Sequence, residues 1–261
     1  MDHLIEVNGI SFGYTDEQLI LNNISASVLP GQLITLLGPN GVGKSTLLGC
    51  MTGLLSPSAG AVLLEGKPIG SYSRRKIAQS IAFVPQKTAV SFDYTVSDFV
   101  LMGRTCHLGI FSVPSDEDRR RTELALERLG ISGLRDRPVR ELSGGEQQKV
   151  CIARAIVQDP KLIIMDEPTS SLDYGNQIHV LKLIKALSEA GYSVLMTTHN
   201  PEHSLLLDGD VWLLGKNGGL SCGSADELIS EQTLSALYGT DICITEVSDA
   251  GRRACFIRTL K

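Results

Sequence analysis

The chain has 261 residues, 43% hydrophobic and 20% charged, with a formal net charge of -5. That length gives one large domain or a core with a lobe, and its acidic balance argues against nucleic acid as the main partner. No apolar run approaches the roughly 18 residues of a membrane span and the start lacks a basic, apolar leader, so a cytosolic chain that docks on a membrane is the expectation. Cys50, Cys106, Cys151, Cys222, Cys243 and Cys255 form no C-x-x-C pair, which predicts reduced structural thiols rather than a disulfide framework or a zinc site.

Short alternating or apolar runs predict strands at Ile5 to Phe12, Ile24 to Val28 and Leu33 to Leu37. The third runs into Gly38-Pro39-Asn40-Gly41-Val42-Gly43-Lys44-Ser45-Thr46, which opens a helix. Strand, glycine-rich loop, Lys-Ser and helix together spell a phosphate-binding P-loop. The glycines let backbone N–H groups turn inward around phosphates, and the new helix adds its positive end. Lys44 supplies a point charge for the β- and γ-phosphates, Ser45 a hydroxyl for Mg²⁺, and Thr46 another hydroxyl nearby. A nucleoside triphosphate is therefore the expected ligand.

Further strands are expected at Ala61 to Leu64, Ser80 to Val84, Leu162 to Met165, Ser193 to Thr197 and Val211 to Leu214, with helices over Glu146 to Val157 and Asn176 to Ala190. Strands alternating with helices imply an α/β core. Lys87 to Glu141 reads as a helical insertion, with Asp116-Glu117-Asp118 in a first turn, Leu124, Leu126 and Leu129 on an apolar side, and a Glu117 to Arg121 pair on a solvated face. The buried run Leu162-Ile163-Ile164-Met165 ends in Asp166-Glu167. There Asp166 would hold Mg²⁺ through its water shell, and Glu167 would polarise the water that attacks the γ-phosphate. His199 and His203 have the spacing of helix-borne ligands, but Pro201 stands between them and no third ligand is evident.

Leu142-Ser143-Gly144-Gly145-Glu146-Gln147-Gln148 lies between these elements and resembles the LSGGQ signature of the ATP-binding cassette family. Ser143-x-x-Glu146 is also an ordinary capping box. The resemblance covers nearly the whole chain: Gln86 matches the Q-loop, Ser171-Leu172-Asp173 the D-loop and His199 the switch histidine. It implies an α/β P-loop NTPase (RecA-like) core with an antiparallel β subdomain, an inserted helical subdomain at about 87–157 and a short C-terminal extension at about 223–261. ATP and Mg²⁺ are the implied cofactors, Mg²⁺ being held by Ser45, Gln86 and Asp166. Glu167, Gln86 and His199 are the implied catalytic residues, and Tyr14 the ring that stacks on adenine, although core packing suits a lone tyrosine equally well. Ser143, Gly144, Gly145 and Glu146 would read the γ-phosphate of a partner subunit's ATP, and Asp173 would work across that interface. The implied partners are thus a second copy of the chain or a paralogous ATPase subunit. Glu146 departs from the signature's glutamine, and Asn200 stands where many members carry aspartate.

Without a spanning segment, a transport role needs separate permease subunits at the cytoplasmic face of the membrane, and indirectly a solute-binding protein. Tyr94 to Gly109 and the tail segments Gly223 to Leu228 and Leu237-Tyr238-Gly239 resemble the subgroup that serves iron-chelate, haem, cobalamin and some molybdate importers. Asp98 and Arg104 are the expected permease contacts. A soluble cassette ATPase of iron-sulfur cluster assembly is the alternative.

Overall fold

A computed structural model describes residues 3–15, 18–86, 93–109 and 111–258. The expected start of the helical insertion, at residue 87, lies outside them. β1 (Ile5–Phe12) and β2 (Leu21–Val28) pair antiparallel, and β2 starts earlier than the apolar pattern suggests because Leu21 pairs with Phe12. β3 (Leu33–Leu37) leaves for a second sheet and leads into α1 (Lys44–Met51). β4 (Ala59–Leu64) then returns to β1, and the two-residue β5 (Lys67–Pro68) edges this layer. The register between β1 and β4 shifts after Asn8. There Gly60, at φ +75°, lies so close to β1 that a Cβ would fall 2.4 Å from the Gly9 carbonyl oxygen, an approach only glycine allows.

α2 (Arg74–Ser80) ends at Ser80, the residue expected to start the next strand, and β6 (Ile81–Val84) follows. Among the described residues, the α-helices between β6 and the next strand are α3 (Val96–Leu101), α4 (Asp116–Arg128) and α5 (Gly144–Val157). α4 buries Asp118, Thr122, Ala125 and Leu126, while Leu124 is half exposed. At about 100° per residue Leu124 lies opposite the Thr122–Leu126 face, so it does not join the apolar side that the sequence suggested. β7 (Leu162–Met165), α6 (Tyr174–Glu189), β8 (Ser193–Thr198), α7 (Pro201–Leu207) and β9 (Asp210–Leu214) continue the alternation. β10 (Leu220–Ser224) pairs antiparallel with β9, giving the order β10-β9-β3-β8-β7-β6 with the other five strands parallel.

Both faces of that sheet are covered, as parallel strands require. Ile163, Met165, Val194 and Met196 pack with residues of α5 and α6, whereas Leu162, Ile164 and Leu195 face the β1–β2–β4 layer and α1. After β10 come α8 (Ala225–Leu228), α9 (Glu231–Tyr238) and the hairpin of β11 (Ile242–Val247) and β12 (Arg252–Ile257). Leu234, Leu237 and Ile242 from this tail bury against Leu37, Val211 and Leu213, so it is packed on the core against the end of β3 and along β9.

Capping explains where the helices begin. Ser73, Thr95, Ser115, Ser143, Asp173, Asn200, Ser224 and Ser230 each accept a backbone N–H at the start of α2 through α9. α1 begins instead at Gly43, with no side-chain cap.

Candidate active site

The first N–H groups of a helix need acceptors. In α1 no side chain supplies one, so the helix presents its positive end to the 38–43 loop. Gly41 and Gly43 have φ of +78° and +110°, and a Cβ on Gly43 would meet Ile20 Cγ2 at 2.6 Å. Glycine is thus required there both for backbone conformation and for space. Tyr14, Ile20, Asn40, Gly41, Gly43, Lys44, Ser45, Thr46, Gln86 and Glu167 line a cleft of about 390 Å³ around this helix end. Lys44 is buried, and its ammonium donates to the carbonyl oxygens of Gly38 (2.8 Å) and Pro39 (3.0 Å) and pairs with Glu167 at 3.1 Å.

Glu167 is the hub. It follows β7 at φ +44°, a left-handed conformation that costs a non-glycine residue roughly 1–2 kcal/mol. One hydroxyl holds the turn: Thr197 Oγ1 accepts the Glu167 N–H (2.7 Å) and donates to Asp166 Oδ1 (2.7 Å). The Glu167 carboxylate takes a bond from Gln86 Nε2 at 3.1 Å and lies 3.5 Å from His199 Nδ1, while the Gln86 amide also reaches Ser170 Oγ at 3.3 Å. Four chain segments far apart in sequence (44, 86, 167 and 199) therefore meet at one carboxylate.

The Ser143 to Glu146 segment stands at the head of α5, outside this cleft. Glu146 accepts both the Ser143 N–H (2.8 Å) and its hydroxyl (2.7 Å), and these bonds, the hydroxyl's first, lower its pKa. Gly144 approaches Ser171 and Leu172, and a Cβ on Gly145 would meet Asn176 Cγ at 2.9 Å, so the signature-like turn packs on the D-loop-like turn of its own chain. Asp173 caps α6 there, accepting the Asn176 N–H and side-chain amide at 2.8 Å each, and the backbone bond leads in lowering its pKa. Tyr14 sits edge-on to Phe12 with 5.1 Å between ring centroids. The residue is 68% exposed, which places it outside the core.

The description "ABC transporter" fits residues 21–170 as a family model. The chain belongs to the ABC transporter family. It is 40% identical to an ABC transporter ATP-binding protein of Haemophilus influenzae over 91% of this chain and 90% of that one. It is 35% identical to the iron(3+)-hydroxamate import ATP-binding protein FhuC of Bacillus subtilis (94% and 91% covered) and 34% identical to the molybdate import ATP-binding protein MolC of H. influenzae (91% and 89%). A metal-chelate type ABC transporter solved in an inward-facing conformation superposes at a TM-score of 0.87 with 31% identity, covering 99% of this chain and 98% of that one. The fold is accordingly that of a P-loop NTPase, and the protein is an ATPase that binds ATP.

One residue of this ABC ATPase escaped sequence reasoning, and another, weighed there only as a metal ligand, has a different place. Thr197, the brace between Asp166 and Glu167, is signalled only by a hydroxyl residue at the end of an apolar strand. His203 is buried, bonded through Nδ1 to Thr198 Oγ1 at 2.9 Å and through Nε2 to the Asn200 amide at 3.3 Å. Pro201 opens α7 rather than interrupting a helix, so His199 precedes the helix and His203 lies within it. Arg104 departs from its expected place at a permease contact. It is buried, donating from Nε to Asp118 Oδ1 (2.7 Å) and from Nη1 to the Val157 carbonyl (2.9 Å).

Proposed function

We propose that this subunit powers an importer of metal chelates or metal oxyanions. It would close head-to-tail with a second ATPase subunit on two ATP molecules while docked on a separate permease at the cytoplasmic face of the membrane. The single observation that carries the ATPase chemistry is the convergence of Lys44, Gln86 and His199 on Glu167 beside the one described α-helix that starts without a side-chain cap.

The residues divide the work. Backbone N–H groups from Gly41 to Thr46 cradle the phosphates, and Lys44 exchanges the Gly38 and Pro39 carbonyls for the β- and γ-phosphate oxygens. That move frees the Glu167 carboxylate from its ion pair, so the base becomes available as substrate seats. Glu167 then takes a proton from the attacking water while His199 holds the γ-phosphate and the water, a role worth about 10² to 10⁴ in rate for general bases. The Ser45 hydroxyl, the Gln86 carbonyl oxygen and Asp166 offer oxygen donors only, which fits Mg²⁺ held beside phosphates. When bound, Mg²⁺ neutralises charge developing on the phosphate oxygens. Tyr14 offers its exposed ring to adenine. Ser143, Gly144, Gly145 and Glu146, with Asp173, would complete the partner's site.

Docking on the permease is assigned to the surface that starts at Gln86. Within it Gly103 and Arg104 are buried, Arg75 donates to the carbonyls of Cys106 and His107, and His107 bonds the Gln158 carbonyl. Met102, Phe111 and Val113 are exposed in and after this segment. The import reading rests on relatives named for iron(3+)-hydroxamate and molybdate import, and no observation favours the cluster-assembly alternative. The test is reconstitution in vesicles with the genomically adjacent permease and binding protein, following ATP-dependent uptake of labelled iron-hydroxamate, haem, cobalamin and molybdate. Uptake of one of these, abolished by Glu167→Gln, is expected. Absence of any permease association, with stable binding to cluster-assembly scaffolds, would overturn it.

A further inference from the structure

The segment carrying His199 is held from two sides. From within, Thr198 Oγ1 accepts the Asn200 N–H at 3.1 Å and bonds His203, while Asn200 Oδ1 accepts the Glu202 N–H at 3.0 Å. From outside, three bonds arrive from the C-terminal tail. The Tyr238 hydroxyl, at the last residue of α9, donates to the His199 carbonyl oxygen at 2.8 Å. Arg252 Nη1 donates to Glu202 Oε2 at 3.0 Å, and the Cys255 N–H donates to Glu202 Oε1. The tail thus grips both ends of the 199–202 turn while its own apolar residues stay buried on β3 and β9. None of its residues lines the nucleotide cleft.

We infer that residues 225–258 act as a clamp on the switch segment, with Tyr238 a positioning residue that fixes the His199 backbone and so aims its imidazole at Glu167. This rests on the reading of His199 as a γ-phosphate contact. The lever is short, because the carbonyl that Tyr238 holds is attached to the same Cα that carries the imidazole. Removing the hydroxyl lets that peptide rotate without touching ATP or the P-loop. Burial pushes the Tyr238 phenol well above its ordinary pKa, so it remains a donor throughout the working pH range. Glu202 forms the second grip, and losing it frees the start of α7.

The experiment uses the full chain in complex with its permease, comparing Tyr238→Phe, Glu202→Gln, His199→Ala and the Tyr238→Phe/His199→Ala double variant. For Tyr238→Phe, kcat should fall about 5- to 20-fold while the KM for ATP stays within twofold and the melting midpoint within about 2 °C. The double variant should be no slower than His199→Ala alone. In ¹³C-histidine-labelled protein the His199 ring resonance, assigned from His199→Ala, should shift or broaden in Tyr238→Phe, and to a smaller degree in Glu202→Gln. Wild-type kcat and an unmoved His199 resonance in Tyr238→Phe would overturn the clamp and leave the His199 reading intact. Parallel losses of ATP affinity and melting midpoint would also overturn it, by reducing Tyr238 to a structural role. Wild-type kcat in His199→Ala would overturn the parent reading, and with it the clamp's catalytic consequence.

Discussion

Replacing Arg104 by methionine removes a buried charge at a site where its partner stays behind, and the cost can be worked from the contacts. The Arg104 and Asp118 side chains are 10% and 9% exposed and 2.7 Å apart, and the second guanidinium bond satisfies a carbonyl at the end of α5. Stripping one partner from a buried pair costs about 3–5 kcal/mol. Asp118 keeps the Ser115 N–H (3.0 Å) and hydroxyl (2.7 Å), which favours the lower end, about 3 kcal/mol. For a domain of this size that is a fall of roughly 6–12 °C in melting midpoint. The bond from Ser115, followed by that from Arg104, holds the Asp118 carboxyl far below its ordinary value of 3.8. A depressed carboxyl stabilises the fold above its unfolded pKa, so the difference between wild type and variant should be full at pH 7 and shrink as pH falls below about 4. Calorimetry at pH 7 is the assay, with Arg120→Ala as control, because the Arg120–Glu117 pair is 69% and 51% exposed and screened by solvent, so its loss should leave the melting midpoint almost unmoved. Adding Asp118→Asn to Arg104→Met should recover part of the loss. A shift below about 2 °C, accompanied by lost permease binding, would refute the burial argument and restore Arg104 as a contact.

Glu167→Gln should retain ATP binding, lose about 10² to 10⁴ in hydrolysis rate and accumulate an ATP-held dimer on light scattering, whereas wild-type turnover in the permease complex would remove Glu167 as the base. Glu146→Gln keeps an oxygen to accept the Ser143 N–H but discharges the carboxylate that engages the Ser143 hydroxyl. ATP-dependent dimerisation should then need less ATP, and an unchanged half-point would show that the carboxylate does not compete with phosphate there. His203 has its pKa drawn down to about 4, by burial first and then by the His199 charge, with Glu202 opposing. Below its ordinary value of about 6.5 the unfolded chain binds a proton that the folded one refuses. Stability should therefore fall between pH 6.5 and 4 by up to about 1.4 kcal/mol per pH unit. Urea titrations should record that slope, and His203→Gln should flatten it; equal slopes would count against the buried neutral imidazole.

The core strands and the P-loop were legible because their signals are local. Ile5–Phe12, Leu33–Leu37 and Leu162–Met165 fell where the apolar runs ended, and glycine spacing foretold the backbone that a phosphate cradle needs. What the sequence hid depends on contacts across the fold. Arg104 and Asp118 are 14 residues apart, and only the packing of 102–107 against α5 makes the arginine internal. Gly103 records that approach, since a Cβ there would fall 2.4 Å from the Arg154 carbonyl oxygen. Leu124 was misread because three leucines in six residues cannot all share one face of an α-helix. The tail carried recognisable words, Leu237-Tyr238-Gly239 among them, but nothing local says that the tyrosine reaches residue 199.

Contacts of this second kind also converge on Glu167. With Lys44 paired to Glu167 at 3.1 Å, the ammonium and the carboxylate neutralise each other, and neither stands as an isolated buried charge, which would be costly. On the proposed mechanism an incoming γ-phosphate would compete for the ammonium and release the carboxylate in the same event, so activation of the proposed base would require the group it acts on. Gln86 and His199 touch the same carboxylate from the two other directions: Gln86 beside the proposed permease surface, His199 beside the C-terminal tail. A displacement at either surface therefore reaches the reacting centre through a single side chain. By reciprocity a phosphate that frees Glu167 would also shift the energetics of both surfaces. That two-way dependence is what a coupled pump needs, since an ATPase site insensitive to its permease would hydrolyse ATP without moving solute.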